Sequence, residues 1–191
     1  MSVFLIFCGL LASIGTGMFA DMFVKGRLPP RIAGPGKALF LAYVGFCLSG
    51  FVFGSLLAVC GSPVCSAVLT GIAGISLVVA SNAKYAILYE PLVFSDLFLL
   101  KYFIRHPSFY IFAISPILRV GIASGVSIML ILLVTATVYA PIEEHIAGFL
   151  LAAVFFILLV LFRVERMAPV PDLERDIGRF GLGGCLFIYW R

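Results

Sequence analysis

The side chains with chemistry to offer are concentrated in one stretch, Ser81 to Pro107, which reads SNAKYAILYEPLVFSDLFLLKYFIRHP between long apolar runs. It carries Asn82, Lys84, Glu90, Asp96, Lys101, Arg105 and His106. Ionisable groups at membrane depth are costly, so a patterned set of them points to docking or to recognition of a charged group. Lys101, Arg105 and His106 would attract anionic headgroups, with each basic residue near the surface contributing roughly 1 kcal/mol. A solvated face accounts for them equally well. Lys84 either contacts a lipid phosphate or docks a partner, or it is a cation snorkelling from a span end with Asn82 as a polar helix cap. Asp96 either complements a helix N-terminus or pairs with Lys84 or Arg105 to fix a short helix.

Covalent catalysis has few candidates. A metal-dependent phosphoryl transferase needs a nucleophile beside one or two cations, each held by several carboxylates or imidazoles. The chain has nine acidic residues and two histidines, His106 and His145, scattered over different turns. No catalytic residue, metal or cofactor is therefore expected. The five cysteines, Cys8, Cys47, Cys60, Cys65 and Cys185, show no metal-ligand spacing. Cys60 and Cys65 flank a Gly-Ser-Pro-Val turn and could pair in an oxidising compartment; small residues at two helix ends is the other reading. Glu143, Glu144 and His145 read as a solvated turn, and Thr135 and Thr137 as hydroxyls bonded to their own helix.

These residues must be positioned by membrane helices. Of the 191 residues 63% are hydrophobic and 12% charged, against about half and a quarter in soluble domains. A spanning helix needs roughly 20 apolar residues, and no strand-like alternation supports a barrel. The expected fold is an all-α polytopic bundle with spans near 3–23, 38–60, 65–80, 117–139 and 146–162. An interfacial helix follows at about 95–106, with Ser95 as its N-cap and Pro107 as its stop. Residues 164–191 form a juxtamembrane tail with a second interfacial helix. Arg175, Asp176 and Arg179 lie on its polar side, and Tyr189 and Trp190 at headgroup level. Small residues spaced by four, Gly9-Ser13-Gly17 in the first span and Gly50-Gly54 in the second, allow close helix approach.

Asn82, Lys84, Glu90-Pro91-Leu92, Phe94 to Asp96 and Arg105-His106-Pro107 resemble the region after the third span in bacterial sulfatase-like phosphoglycerol transferases, the lipoteichoic acid synthase family and its Gram-negative relatives. The tail motif DIGRFGL, Asp176 to Leu182, is similar to the stretch after their fifth span. The resemblance implies a multi-pass protein of the bacterial cytoplasmic membrane. In that family five helices anchor an extracytoplasmic domain of the alkaline phosphatase superfamily, which carries the Thr nucleophile and metal ligands. That domain transfers glycerol phosphate from phosphatidylglycerol. The present chain stops where it would begin.

The expected function is thus a membrane-anchoring, lipid-presenting module that is not itself catalytic. Its partners would be anionic phospholipid and a separate sulfatase-like catalytic domain, with no role for nucleic acid. A small transporter or accessory subunit, or an inactive truncated remnant, are the alternatives. Sidedness is contested. In a five-span arrangement Lys25, Arg27, Arg31, Lys37, Lys84, Lys101, Arg105, Arg163 and Arg166 share one side, while the other has no Lys or Arg. The positive-inside rule places that basic side in the cytoplasm; the resemblance places it outside.

Overall fold

The computed structural model describes residues 2–24, 35–89, 92, 96, 124, 127, 130, 131, 133, 134, 137–161 and 182–187. The fold is all-α. Its four principal helices are α1 (Ser2–Asp21), α2 (Pro35–Cys60), α3 (Pro63–Leu88) and α4 (Ile142–Leu161). All four are long and apolar enough to cross a membrane. The third helix runs past the expected Ala80 to Leu88, which brings Lys84 into its last turns. Described residues between 124 and 139 are helical, and Thr137 donates to Leu133 O at 2.8 Å as expected. The rest of the span expected at 117–139, including Thr135, lies outside the described residues, as do Arg175, Asp176, Arg179, Tyr189 and Trp190 of the tail.

Helix ends follow from local chemistry. After Cys60 the chain turns at Gly61, whose φ of 61° is a left-handed conformation that glycine adopts without a Cβ penalty. The turn has no room for a side chain either: a Cβ there would strike Ala140, and would stand 2.5 Å from His145 Nε2. Ser62 then caps α3 by accepting the Cys65 N–H at 3.4 Å, and Pro63 opens the first turn, where its missing N–H costs nothing. At the far end Tyr89 takes the left-handed conformation (φ 57°), and its N–H bonds Tyr85 O at 3.0 Å. That is the usual stop signal of a helix C-terminus.

Because α2 touches each of the other three helices, it is the centre of the bundle. It runs antiparallel to α1, with Gly9 beside Phe53 and Gly17 beside Ser49. It also runs antiparallel to α4, with Gly54 beside Gly148 and Ala152. The first and third helices are parallel, Thr16 lying against Gly71 and Gly17 against Gly74. Lipid is as apolar as leucine, so burial alone does not hold such helices together; close packing and interhelical hydrogen bonds do. The crossing of α2 and α4 is made by backbone. A Cβ on Gly54 would stand 2.6 Å from Ala152 N, and one on Gly148 would stand 2.6 Å from Leu57 C. Phe46 and Phe155 add an edge-to-face contact with centroids 5.3 Å apart.

Two parts of the sequence reading change here. The tail was expected as a separate interfacial element, but residues 182–187 form a helical turn inside the bundle. Leu182, Cys185, Leu186 and Phe187 are buried in one cluster with Ala20, Val44, Cys47, Phe155 and Leu159. His145, read as part of a solvated turn, instead makes a 2.8 Å hydrogen bond through Nδ1 with Ala58 O. It thereby ties the first turn of α4 to one of the last carbonyls of α2.

Candidate functional site

The helix directions put the end of α1, the start of α2 and the ends of α3 and α4 together. The last turns of α3 supply the polar side chains at this end. Lys84 Nζ stands 2.7 Å from Asp96 Oδ2, and the two side chains are only 16% and 18% exposed. Three residues earlier, Ser81 is buried, and its Oγ accepts the Leu92 N–H at 3.3 Å. Between them Asn82 donates from Nδ2 to Phe23 O at 2.9 Å, just beyond the last turn of α1. One stretch of helix thus fastens two segments. Residues one apart on a helix point about 100° away from each other, whereas residues three apart share a face. Accordingly Ser81 reaches Leu92 and Lys84 reaches Asp96, while Asn82 reaches Phe23 just past α1.

A fourth fastening comes from Asp21. Its Oδ1 accepts the Leu182 N–H at 2.8 Å, where the buried tail turn begins. An acid at the last position of a helix is opposed by the helix dipole. Here the carboxylate instead receives the backbone donor of a chain 161 positions away.

Of the residues expected to form the site, the structure brings Lys84 and Asp96 into direct contact and sets Asn82 beside them. Glu90, Lys101, Arg105 and His106 lie outside the described residues. The ion pair was one of the two roles foreseen for Asp96. It alters the lipid reading of Lys84, because an anionic headgroup approaching that ammonium must compete with a carboxylate already in contact. Asp21, Ser81 and His145 were not picked out as site residues. Asp21 did leave a signal, as the acid that closes an otherwise apolar span.

Among the described residues, no group of three or more His, Cys, Asp or Glu side chains is placed to hold a metal ion. The buried hydroxyls inside the spans are satisfied locally. Ser13 donates to Gly9 O, Ser66 to Ser62 O and Thr70 to Ser66 O, at 2.8, 2.8 and 2.7 Å. Such back-bonding to the preceding turn satisfies the hydroxyl without a ligand. The site's chemistry is therefore that of fastening: charge-assisted and neutral hydrogen bonds that hold Leu92 and Asp96 against the last turns of α3.

In comparisons with known proteins, no family model, no curated protein and no solved structure matches the chain.

Proposed function

We propose that this chain is the membrane module of a phosphoglycerol transferase-like system of the bacterial cytoplasmic membrane. It anchors the system, presents anionic lipid at one end and performs no phosphoryl transfer itself. The observation that carries the reading is the Lys84–Asp96 pair. Both residues belong to the motif that resembles the sulfatase-like family. An ion pair between them supports the view that the motif holds a surface segment in a fixed shape. With Lys84 neutralised, headgroup attraction falls to Lys101, Arg105 and His106.

The transporter alternative gains little support. Ion and substrate pathways are marked by ionisable groups inside spans. Among the described residues the buried polar side chains are Ser13, Ser66, Thr70 and Ser81, none of them ionisable.

The reading is tested with Lys84→Ala, Asp96→Ala and Arg105→Ala in the purified chain. Each variant is assayed for binding to phosphatidylglycerol vesicles against phosphatidylcholine vesicles, and for co-purification with a sulfatase-like catalytic domain from the same genome. At least one variant should lose either preference. Unchanged behaviour of all three would sink the proposal. Sidedness is read separately, by labelling intact cells with a membrane-impermeant thiol reagent. Cys60 is fully buried, so Cys65 is the reporting residue. Reaction at Cys65 puts its turn outside and the basic connections inside.

A further inference from the structure

Helices that are neighbours in sequence do not make the tightest crossing in this bundle. A two-residue turn, Gly61 and Ser62, joins α2 to α3, yet each helix turns its glycines elsewhere. Gly50 and Gly54 of α2 lie against Phe155 and Ala152 of α4, and Gly71 and Gly74 of α3 lie against Thr16 and Gly17 of α1. The side chains left between α2 and α3 are large: Phe51 and Leu56 from one helix, Leu69 and Ile72 from the other. They line a groove of about 430 Å³, with Ser55 and Ala73 also on its wall.

Depth and wall chemistry decide what such a groove can hold. Leu69 to Ala73 are the seventh to eleventh residues of α3. At about 1.5 Å per residue they lie roughly 10–15 Å from its start, near the middle of a hydrocarbon core about 30 Å thick. A polar ligand at that depth needs hydrogen-bond partners. Ser55 is the only polar side chain lining the groove, and its hydroxyl already donates to Phe51 O at 2.8 Å. A second helix is no better suited. Helices associate in lipid where small residues let backbones close, as at Gly54 and Gly148, whereas Phe51, Leu56, Leu69 and Ile72 hold a helix off. A methylene chain needs no such approach, because it follows an irregular apolar wall by rotating its own bonds. An engineered apolar cavity of about 150 Å³ takes a benzene ring, and this groove is nearly three times that volume.

We propose that the α2–α3 groove is a binding site for one acyl chain of a bilayer phospholipid, which enters sideways from the membrane. The lining residues are nearer in sequence to the Gly61 turn than to Lys84, so the lipid belongs to the leaflet on the Gly61 side. The site reads the chain and not the headgroup. It is therefore separate from the anionic-lipid role proposed for the opposite, polar end.

The test places the full chain in phosphatidylcholine nanodiscs containing a trace of the same lipid with a diazirine halfway along one acyl chain. After illumination and digestion, adducts are mapped by mass spectrometry. The reference is the outer face of α4, where Phe149, Leu150 and Val154 are exposed at the level of Gly54. Adducts on residues 51–56 and 69–73 should exceed those on that face several-fold. Ala73→Phe, which fills the groove, should bring them down to the reference level and leave the α4 adducts unchanged. Equal labelling of groove and α4 face in the wild type means bulk lipid only and overturns the proposal. So does groove labelling that Ala73→Phe leaves undiminished. A groove protected from label in a dimer assigns it to a second copy and overturns the proposal as well. The wild-type comparison needs no substitution, so a misfolded variant does not rescue the idea. Phosphatidylcholine carries no net charge, so failure of the anionic-lipid reading leaves this result standing.

Discussion

The middle of the bundle and its polar end are held by opposite means. In the middle, α2 and α4 meet backbone to backbone at Gly54, Gly148 and Ala152, and the side-chain hydrogen bonds that join these two helices, Tyr43 OH to Leu158 O and His145 Nδ1 with Ala58 O, lie nearer their ends. At the end, α1, α3, Leu92, Asp96 and the turn at 182–187 are joined by Asp21, Ser81, Asn82 and Lys84, each bond with one donor and one acceptor. Shape complementarity tolerates no added atom but is indifferent to charge. The polar end tolerates a change of volume more readily than the loss of one oxygen. A bundle of apolar helices that must also fasten neighbouring segments uses the first device along the helices and the second at their ends.

That contrast fails or sharpens under four tests. The largest effect belongs to Gly148→Val, whose side chain would collide with the backbone of Leu57 and Ala58, which cannot rotate away. Overpacking of this kind costs up to about 3 kcal/mol, and a large fall in Tm in detergent is expected. A Tm within a degree or two of wild type would show that the crossing is looser than its glycines imply. Next, Asp21→Ala strips the Leu182 N–H of its acceptor. An unsatisfied buried donor costs about 1–3 kcal/mol, and amide exchange at residues 182–187 should accelerate while that of α2 stays slow. Equal acceleration in both would make the tail inseparable from the middle.

For Lys84 and Asp96 the useful quantity is their coupling. A double-mutant cycle of Lys84→Met and Asp96→Asn should return about 1 kcal/mol, within the span usual for contacting charges, and the coupling should weaken with salt. A coupling near zero would reduce the pair to a surface contact. The smallest effect is expected from Gly15→Ala. Nothing lies within 4 Å of a Cβ there, so stability should move by less than about 0.5 kcal/mol. A larger loss would reveal a neighbour on that face.

The two regions were not equally legible in the sequence. Spans of apolar residues and small residues at intervals of four announce helices that pack closely, and Gly50-Gly54 does lie on a packed face, against Phe155 and Ala152. Local spacing did not show which helix they would meet, because Gly148 lies far along the chain and its own small-residue partner is Ala152. The polar end was partly readable. Lys84 and Asp96 are close enough in sequence, and opposite enough in charge, for their pairing to be foreseen. Asp21 with Leu182 and Asn82 with Phe23 were not foreseeable. One partner in each bond is a backbone atom, which every residue carries, so residue type gives no cue. The tail misled for a related reason. Residues 181–190 make an apolar stretch too short to span, and by length alone a surface helix is the natural expectation. Burial of 182–187 depends on a gap among α1, α2 and α4 that only the assembled helices define.

The placement of that tail turn has a consequence for biosynthesis. Membrane helices insert one after another and associate afterwards, and domains generally begin to form from the N-terminal side during synthesis. Here Val44, Cys47 and Leu159 are packed against Cys185, Leu186 and Phe187, so part of the core is supplied by residues translated after all four principal helices. The nascent bundle must wait in the bilayer with that gap open. That part of the core is completed only when these later residues arrive, and a chain halted before residue 182 would insert normally yet remain unlocked.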